Sequence, residues 1–157
     1  MANDRISVTS TIEAAPEAVY DVLADPGTHA AIDGTGWVRE PLDGERLTTI
    51  GQVFRMAMHH DQHPDGDYVM ANEVEVLDRQ RAIAWQPGQH TDDGDLALGG
   101  WTWRYDLAPA GAGNTHVTLS YDWSAVPEQT RQNITFPPFP EAHLTSSLAH
   151  LADLATR

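Results

Sequence analysis

The sequence predicts an α+β fold: a curved antiparallel sheet of about six to seven strands wrapped on a long C-terminal helix, with two short helices after the first strand. Three observations carry this. Most of the chain consists of short segments in which apolar and polar residues alternate, separated by Gly-, Pro- and Asp-rich turns. Short loops between successive strands imply antiparallel pairing. The last twenty residues carry the one long helical pattern, so this helix is the natural cover for the sheet's apolar face.

In chain order, Arg5 to Glu13 places Ile6, Val8, Ser10 and Ile12 on one side of a half-buried strand. A helix follows, with Pro16 at its first position, Glu17 near its positive end and Val19, Tyr20 and Leu23 facing inward. Pro26-Gly27 breaks it, and a second short helix spans about Thr28 to Asp33, stopped by Gly34-Thr35-Gly36. Trp37 to Leu42 and Gln52 to His60 read as strands. In the latter, Phe54, Met56, Met58 and His60 share a face. Tyr68 to Leu77 alternates with Tyr68, Met70, Asn72, Val74 and Val76 inward, and the glutamates at 73 and 75 mark the wet face. Arg81 to Gln86 is a short strand with Ile83 and Trp85 on one side, and Pro87 to Gly100 reads as a polar, Gly- and Asp-rich loop in which His90 to Asp95 is a mobile acidic stretch, a candidate lid over one end of a cavity. Two strands then close a hairpin, with Trp101, Trp103, Tyr105 and Leu107 inward on the first and Val117, Leu119, Tyr121 and Trp123 inward on the second. Pro137, Pro138 and Pro140 hold the approach to the last helix extended. Leu144, Leu148, Leu151 and Ala155 form its apolar stripe, flanked by His143, Ser147, His150 and Leu154.

Composition narrows the function. At 157 residues the chain reads as a single domain, 1–157, with room for a full core. It has no cysteine and no lysine, which removes disulfides, thiolate chemistry and Schiff bases. A formal charge of −14 opposes binding to nucleic acid or to anionic membranes. No apolar run approaches the ~20 residues of a membrane span, so membrane insertion is not expected. The first residues lack an apolar leader, and the expected location is cytoplasmic. No cofactor motif is present, a homodimer is compatible with the sequence, and no metal site is expected. The histidines at 59, 60 and 63 sit at a turn, where neighbours on a strand diverge to opposite faces.

The inward faces suggest a pocket. Met56, Met58, Met70, Trp85, Trp101 and Trp103 are large and adaptable, and Phe136 and Phe139 arrive from the proline-rich approach. Asn72 interrupts this surface and needs a polar partner. His60 at the rim, Tyr121 on the inner face and His143 beside Phe139 are the candidate polar contacts for a ligand. The alternative is that the same side chains fill a core. For catalysis, His29 and Asp33 are four apart on the second short helix, which would let Asp33 orient the imidazole as a general base. The alternative for that pair is a local contact that ends the helix. Tyr121 is the other candidate proton donor.

The segments I-E-A-A-P-E-A-V-Y-D-V-L-A-D-P (12–26), H-A-A-I-D-G-T-G (29–36), Y-V-M-A-N-E-V (68–74), I-A-W-Q-P (83–87) and V-T-L-S-Y-D-W-S (117–124), with the strand order and the last helix, resemble the START-like (SRPBCC, helix-grip) superfamily. This superfamily includes birch-pollen-allergen-like proteins, lipid-transfer domains, polyketide cyclases and chaperone-activator-like domains. The likeness runs along essentially the whole chain and is greatest to a bacterial subgroup labelled polyketide cyclase/dehydrase and lipid transport. The resemblance implies a small hydrophobic partner, lipid-, aromatic- or polyketide-like, held between sheet and helix. Its alternatives are a cyclase or dehydratase using the same cavity and a protein-interaction module.

Overall fold

The computed structural model describes residues 4–61 and 63–157. The chain runs β1 (Arg5–Ile12), α1 (Pro16–Leu23), a short 3-10 turn over Pro26–Thr28, α2 (His29–Ile32), β2 (Val38–Pro41), β3 (Val53–His59), β4 (Asp67–Asp78) and β5 (Ala82–His90). It continues through β6 (Leu96–Leu98), β7 (Thr102–Pro109), β8 (Thr115–Asp122), α3 (Glu128–Asn133) and α4 (Ala142–Ala155). All strand pairs are antiparallel, in the order β1-β8-β7-β5-β4-β3-β2, with β6 paired to β5. The α+β fold expected from alternation is present, and β6 takes the strand count to eight. Among the described residues no helix is long and apolar enough to cross a membrane.

Three segments differ from the expectation. In β4, Val74 pairs with Trp85 but Val76 pairs with Ala84, so Glu75 is an extra residue, a β-bulge. The bulge reverses the alternation: Leu77, not Val76, pairs with Ile83 and packs on the core. Residues 87 to 100 are not a loop. Gly88, Gln89 and His90 of β5 pair with Leu98, Ala97 and Leu96 of β6 in a hairpin turned at Gly94, whose positive φ of 86° suits glycine. Finally, α3 is a short exposed helix where no apolar period exists to announce it.

The core lies at the β1–β8–β7 side of the sheet. Val19 and Leu23 of α1, Val117 and Leu119 of β8, and Leu144, Leu148 and Leu151 of α4 are all buried there. Each such side chain contributes about 1.5–3 kcal/mol by leaving water. Helix α4 packs on β1, β8, α1 and α2. Its buried polar position, Ser147, accepts a 3.0 Å hydrogen bond from the Gly34 amide, and His150 Nδ1 donates to the Ile32 carbonyl at 3.1 Å. The segment after α2 is thereby fastened to the C-terminal helix. The approach is close enough that a β-carbon on Gly34 would collide with the backbone carbonyl of His143. Gly34→Ala should therefore lower stability by about 1–3 kcal/mol, the usual cost of overpacking. Urea unfolding measures it, and an unchanged midpoint would show that α2 and α4 separate without penalty.

Candidate functional site

The sheet curves away from α4 at the β3–β4–β5 side, and a cavity of about 1120 Å³ fills the space. Its floor is the inner face of β3, β4, β5 and β7. Phe54, Met56 and Met58 come from β3, Tyr68, Met70 and Asn72 from β4, Trp85 from β5, and Trp103 and Tyr105 from β7. The remaining walls are α2 with the residues that follow it, the β5–β6 hairpin, and the segment 133–139 that leads into α4.

An aromatic chain lines one side. Phe139 is buried, stacks on Trp103 at 5.5 Å between ring centres, and meets Tyr121 edge-on at 5.0 Å and Trp37 at 6.1 Å. Trp37 in turn lies 4.7 Å from the His60 ring. Trp101 lies 5.9 Å from Phe136. On the opposite wall, His29 stacks on Trp85 at 5.0 Å, with Phe54 edge-on at 5.6 Å.

His29 is 92% buried by its 8% exposure, and its Nε2–H donates to the Leu23 carbonyl at 2.8 Å. A carbonyl only accepts, so this bond places the proton on Nε2 and leaves Nδ1 as a lone-pair acceptor. Among the described residues, the one sealed side-chain nitrogen or oxygen without a partner is His143 Nδ1. His29 Nδ1 has no hydrogen-bond partner among the described residues, and the ring borders the cavity. Burial lowers the affinity of this imidazole for a second proton; the Leu23 carbonyl and the charge of Asp25 oppose that only in part.

The expected His29–Asp33 pair does not form. Helix α2 ends at Ile32, and Asp33 leaves it in an extended conformation (ψ 128°). Its carboxylate accepts from the Thr35 amide and hydroxyl and from the Val38 amide, at 2.7 to 3.0 Å, and so shapes the next turn. Both residues nevertheless border the cavity. His143 departs from the expectation in another way. Its ring stacks on Phe139 at 5.9 Å and lies behind it, outside the cavity lining. Asn72 donates to the Phe54 carbonyl of the neighbouring strand at 3.2 Å, so its amide nitrogen is satisfied by backbone.

The remaining candidates from the sequence, Met56, Met58, His60, Met70, Trp85, Trp101, Trp103, Tyr121, Phe136 and Phe139, all border the cavity. Sequence reasoning missed Trp37, which no alternation places inward. It also passed over Phe54 and Tyr105, although both share the parity of residues it chose. Burial raises the pKa of the Tyr105 and Tyr121 phenols well above the usual value, so both stay protonated hydrogen-bond donors.

No protein-family model matches the chain, and no curated protein matches it. Solved structures do. A protein of Chromobacterium violaceum is 21% identical with a TM-score of 0.67, covering 98% of this chain and 98% of that one. The ginseng major latex-like protein 151 of Panax ginseng is 11% identical with a TM-score of 0.67, covering 98% and 97%. An aromatase/cyclase from Streptomyces sp. R1128 is 17% identical with a TM-score of 0.64, covering 98% and 93%. At these identities the likeness is one of fold. The chain has the helix-grip fold.

The state of His29 has a consequence for pH dependence. Its folded pKa lies below the ordinary 6.5, so the unfolded chain binds the extra proton more readily. The stability that rests on a neutral His29 is complete above about pH 6.5 and is lost as pH falls from there toward the folded pKa. A His29→Gln variant should show a smaller fall in Tm than the parent between about pH 6.5 and pH 5. Parallel curves would place the imidazole in water.

Proposed function

We propose that the chain binds a small, largely apolar molecule, aromatic, polyketide- or lipid-like, in the cavity between the sheet and the C-terminal helix. The observation that carries this reading is the cavity itself: about 1120 Å³, bordered by tryptophans, methionines and phenylalanines, with polar side chains such as His29, Asp33 and Asn72 between them. That is the usual make-up of a small-molecule site. Burying ligand surface against such side chains contributes ~25 cal/mol per Å² before the costs of association. Met56, Met58 and Met70 adapt to ligand shape, and Trp103 and Phe139 supply flat surfaces for a ring.

A second reading is supported by the state of His29. A neutral imidazole with a free lone pair is a general base, and the Tyr121 phenol, held protonated, can donate a hydrogen bond to a substrate carbonyl. Those are the groups a cyclase or dehydratase would use, and the aromatase/cyclase of like fold lends the reading weight. An enzyme of this type loses turnover on His29→Ala or Tyr121→Phe while keeping ligand affinity. A carrier shows no turnover to lose.

The test is native mass spectrometry of the protein purified from its own host, followed by organic extraction. A stoichiometric apolar adduct is expected. It should be largely lost in Met58→Asp, which sets a charge on the apolar floor, and reduced in Trp103→Ala, with circular dichroism to verify the fold. A clean apo mass that persists after incubation with aromatic and lipid metabolites would overturn the binding reading.

A further inference from the structure

The charges around the cavity are one-sided. The chain has nine arginines and no lysine, and among the described residues no arginine borders the cavity. The arginines with carboxylate partners use them elsewhere: Arg46 pairs with Asp21, Arg55 with Asp43, Arg104 with Asp106, and Arg131 with Asp4. The one carboxylate that does border the cavity, Asp33, has no ion-pair partner among the described residues. Its hydrogen bonds come from two backbone amides and a hydroxyl, which stabilise the charge without cancelling it. Burial holds the Tyr68 and Tyr105 phenols protonated, and the charge of Asp33 adds to that.

A second, independent observation lies on the same wall. His29 is more than nine-tenths buried, borders the cavity, has its Nε2–H used up on the Leu23 carbonyl, and makes no hydrogen bond through Nδ1 among the described residues. The cavity thus offers two acceptors, one anionic and one neutral, and Trp37, Trp85, Trp101 and Trp103 border the same space. A ligand that brings a carboxylate here would meet an acceptor and a like charge with no cation to offset its lost hydration. A ligand that brings an ammonium group would find a carboxylate, a nitrogen lone pair and electron-rich ring faces.

Resting on the ligand-binding reading above, we infer that the cavity selects an aromatic amine: a ring held among the tryptophans and Phe139, with a protonated nitrogen directed at Asp33 and His29. Anionic lipids and aromatic acids of the same size are the disfavoured class. The other groups at the cavity that can acquire charge are His60 and His63, at the β3–β4 turn, so the selection is cleanest where imidazoles are uncharged.

Calorimetry with three probes of one shape tests this: naphthylethylamine, naphthylethanol and naphthylacetic acid, with the whole chain at about pH 8. Salt at about 0.15 M screens the acidic surface beyond ~8 Å. The amine should bind tightest and the acid weakest, with about tenfold or more between them. Asp33→Asn, which keeps one acceptor for the Thr35 turn, should bring the amine close to the alcohol. An acid that binds as well as the amine overturns the charge selection and leaves the cavity reading standing. An amine preference unchanged in Asp33→Asn also overturns it, by assigning the preference to the surface field. If that variant fails to fold, the salt dependence of the parent's ranking decides: a preference that survives at about 1 M salt belongs to the site, and one that vanishes there belongs to the surface field and overturns the inference. Failure of all three probes to bind would overturn both the selection and the cavity reading.

Discussion

The structure depends on a mismatch of width. Helix α4 has 14 residues and is about 21 Å long and ~10 Å across, whereas seven strands abreast at ~4.8 Å span about 29 Å before curvature. One helix cannot cover that face. It is placed to one side, on β1 and β8, with α1 and α2 closing the corner. There the interior is aliphatic and closely packed. Past α2, the faces of β3, β4 and β5 continue without a helix over them, and their side chains become Met, Trp and Tyr. The change from Leu and Val to large, adaptable or amphipathic residues follows the change from a packed core to a cavity wall.

Phe139 joins the two regimes. It is buried, touches Trp37, Trp103 and Tyr121 on the cavity side, and stacks on His143 at the start of α4. The prolines around it limit the chain's freedom before the helix begins. Position and shape of the cavity are therefore tied to the same helix that completes the core. On the facing wall, α2 is only four residues long, yet the Gly34–Ser147 and Ile32–His150 hydrogen bonds hold its end to α4.

The fold was legible because alternation is a local signal. Phe54, Met56 and Met58 on β3 and Trp103 and Tyr105 on β7 each announce a face, and strand pairing then brings those faces together. The failures have local causes too. The bulge at Glu75 leaves no mark in a run of Glu and Val, so Val76 and Leu77 exchange faces unannounced. Pro87 and Gly88 ordinarily break a strand, but here β6 pairs at Gly88, where a β-carbon would meet the Ala97 backbone. The His29–Asp33 spacing presumed a helix one residue longer than α2 is. His29's hydrogen bond to Leu23 joins two helix ends across the Pro26-Gly27 break, which no periodicity encodes.

Four of the five tryptophans, Trp37, Trp85, Trp101 and Trp103, border the cavity, while Trp123 sits in the core behind Tyr121. Indole emission responds to the polarity and contacts of its surroundings, so the protein carries a built-in gauge of what the cavity holds. Water entering or leaving this space changes the light the molecule gives back, with Trp123 as an internal reference that the contents do not touch.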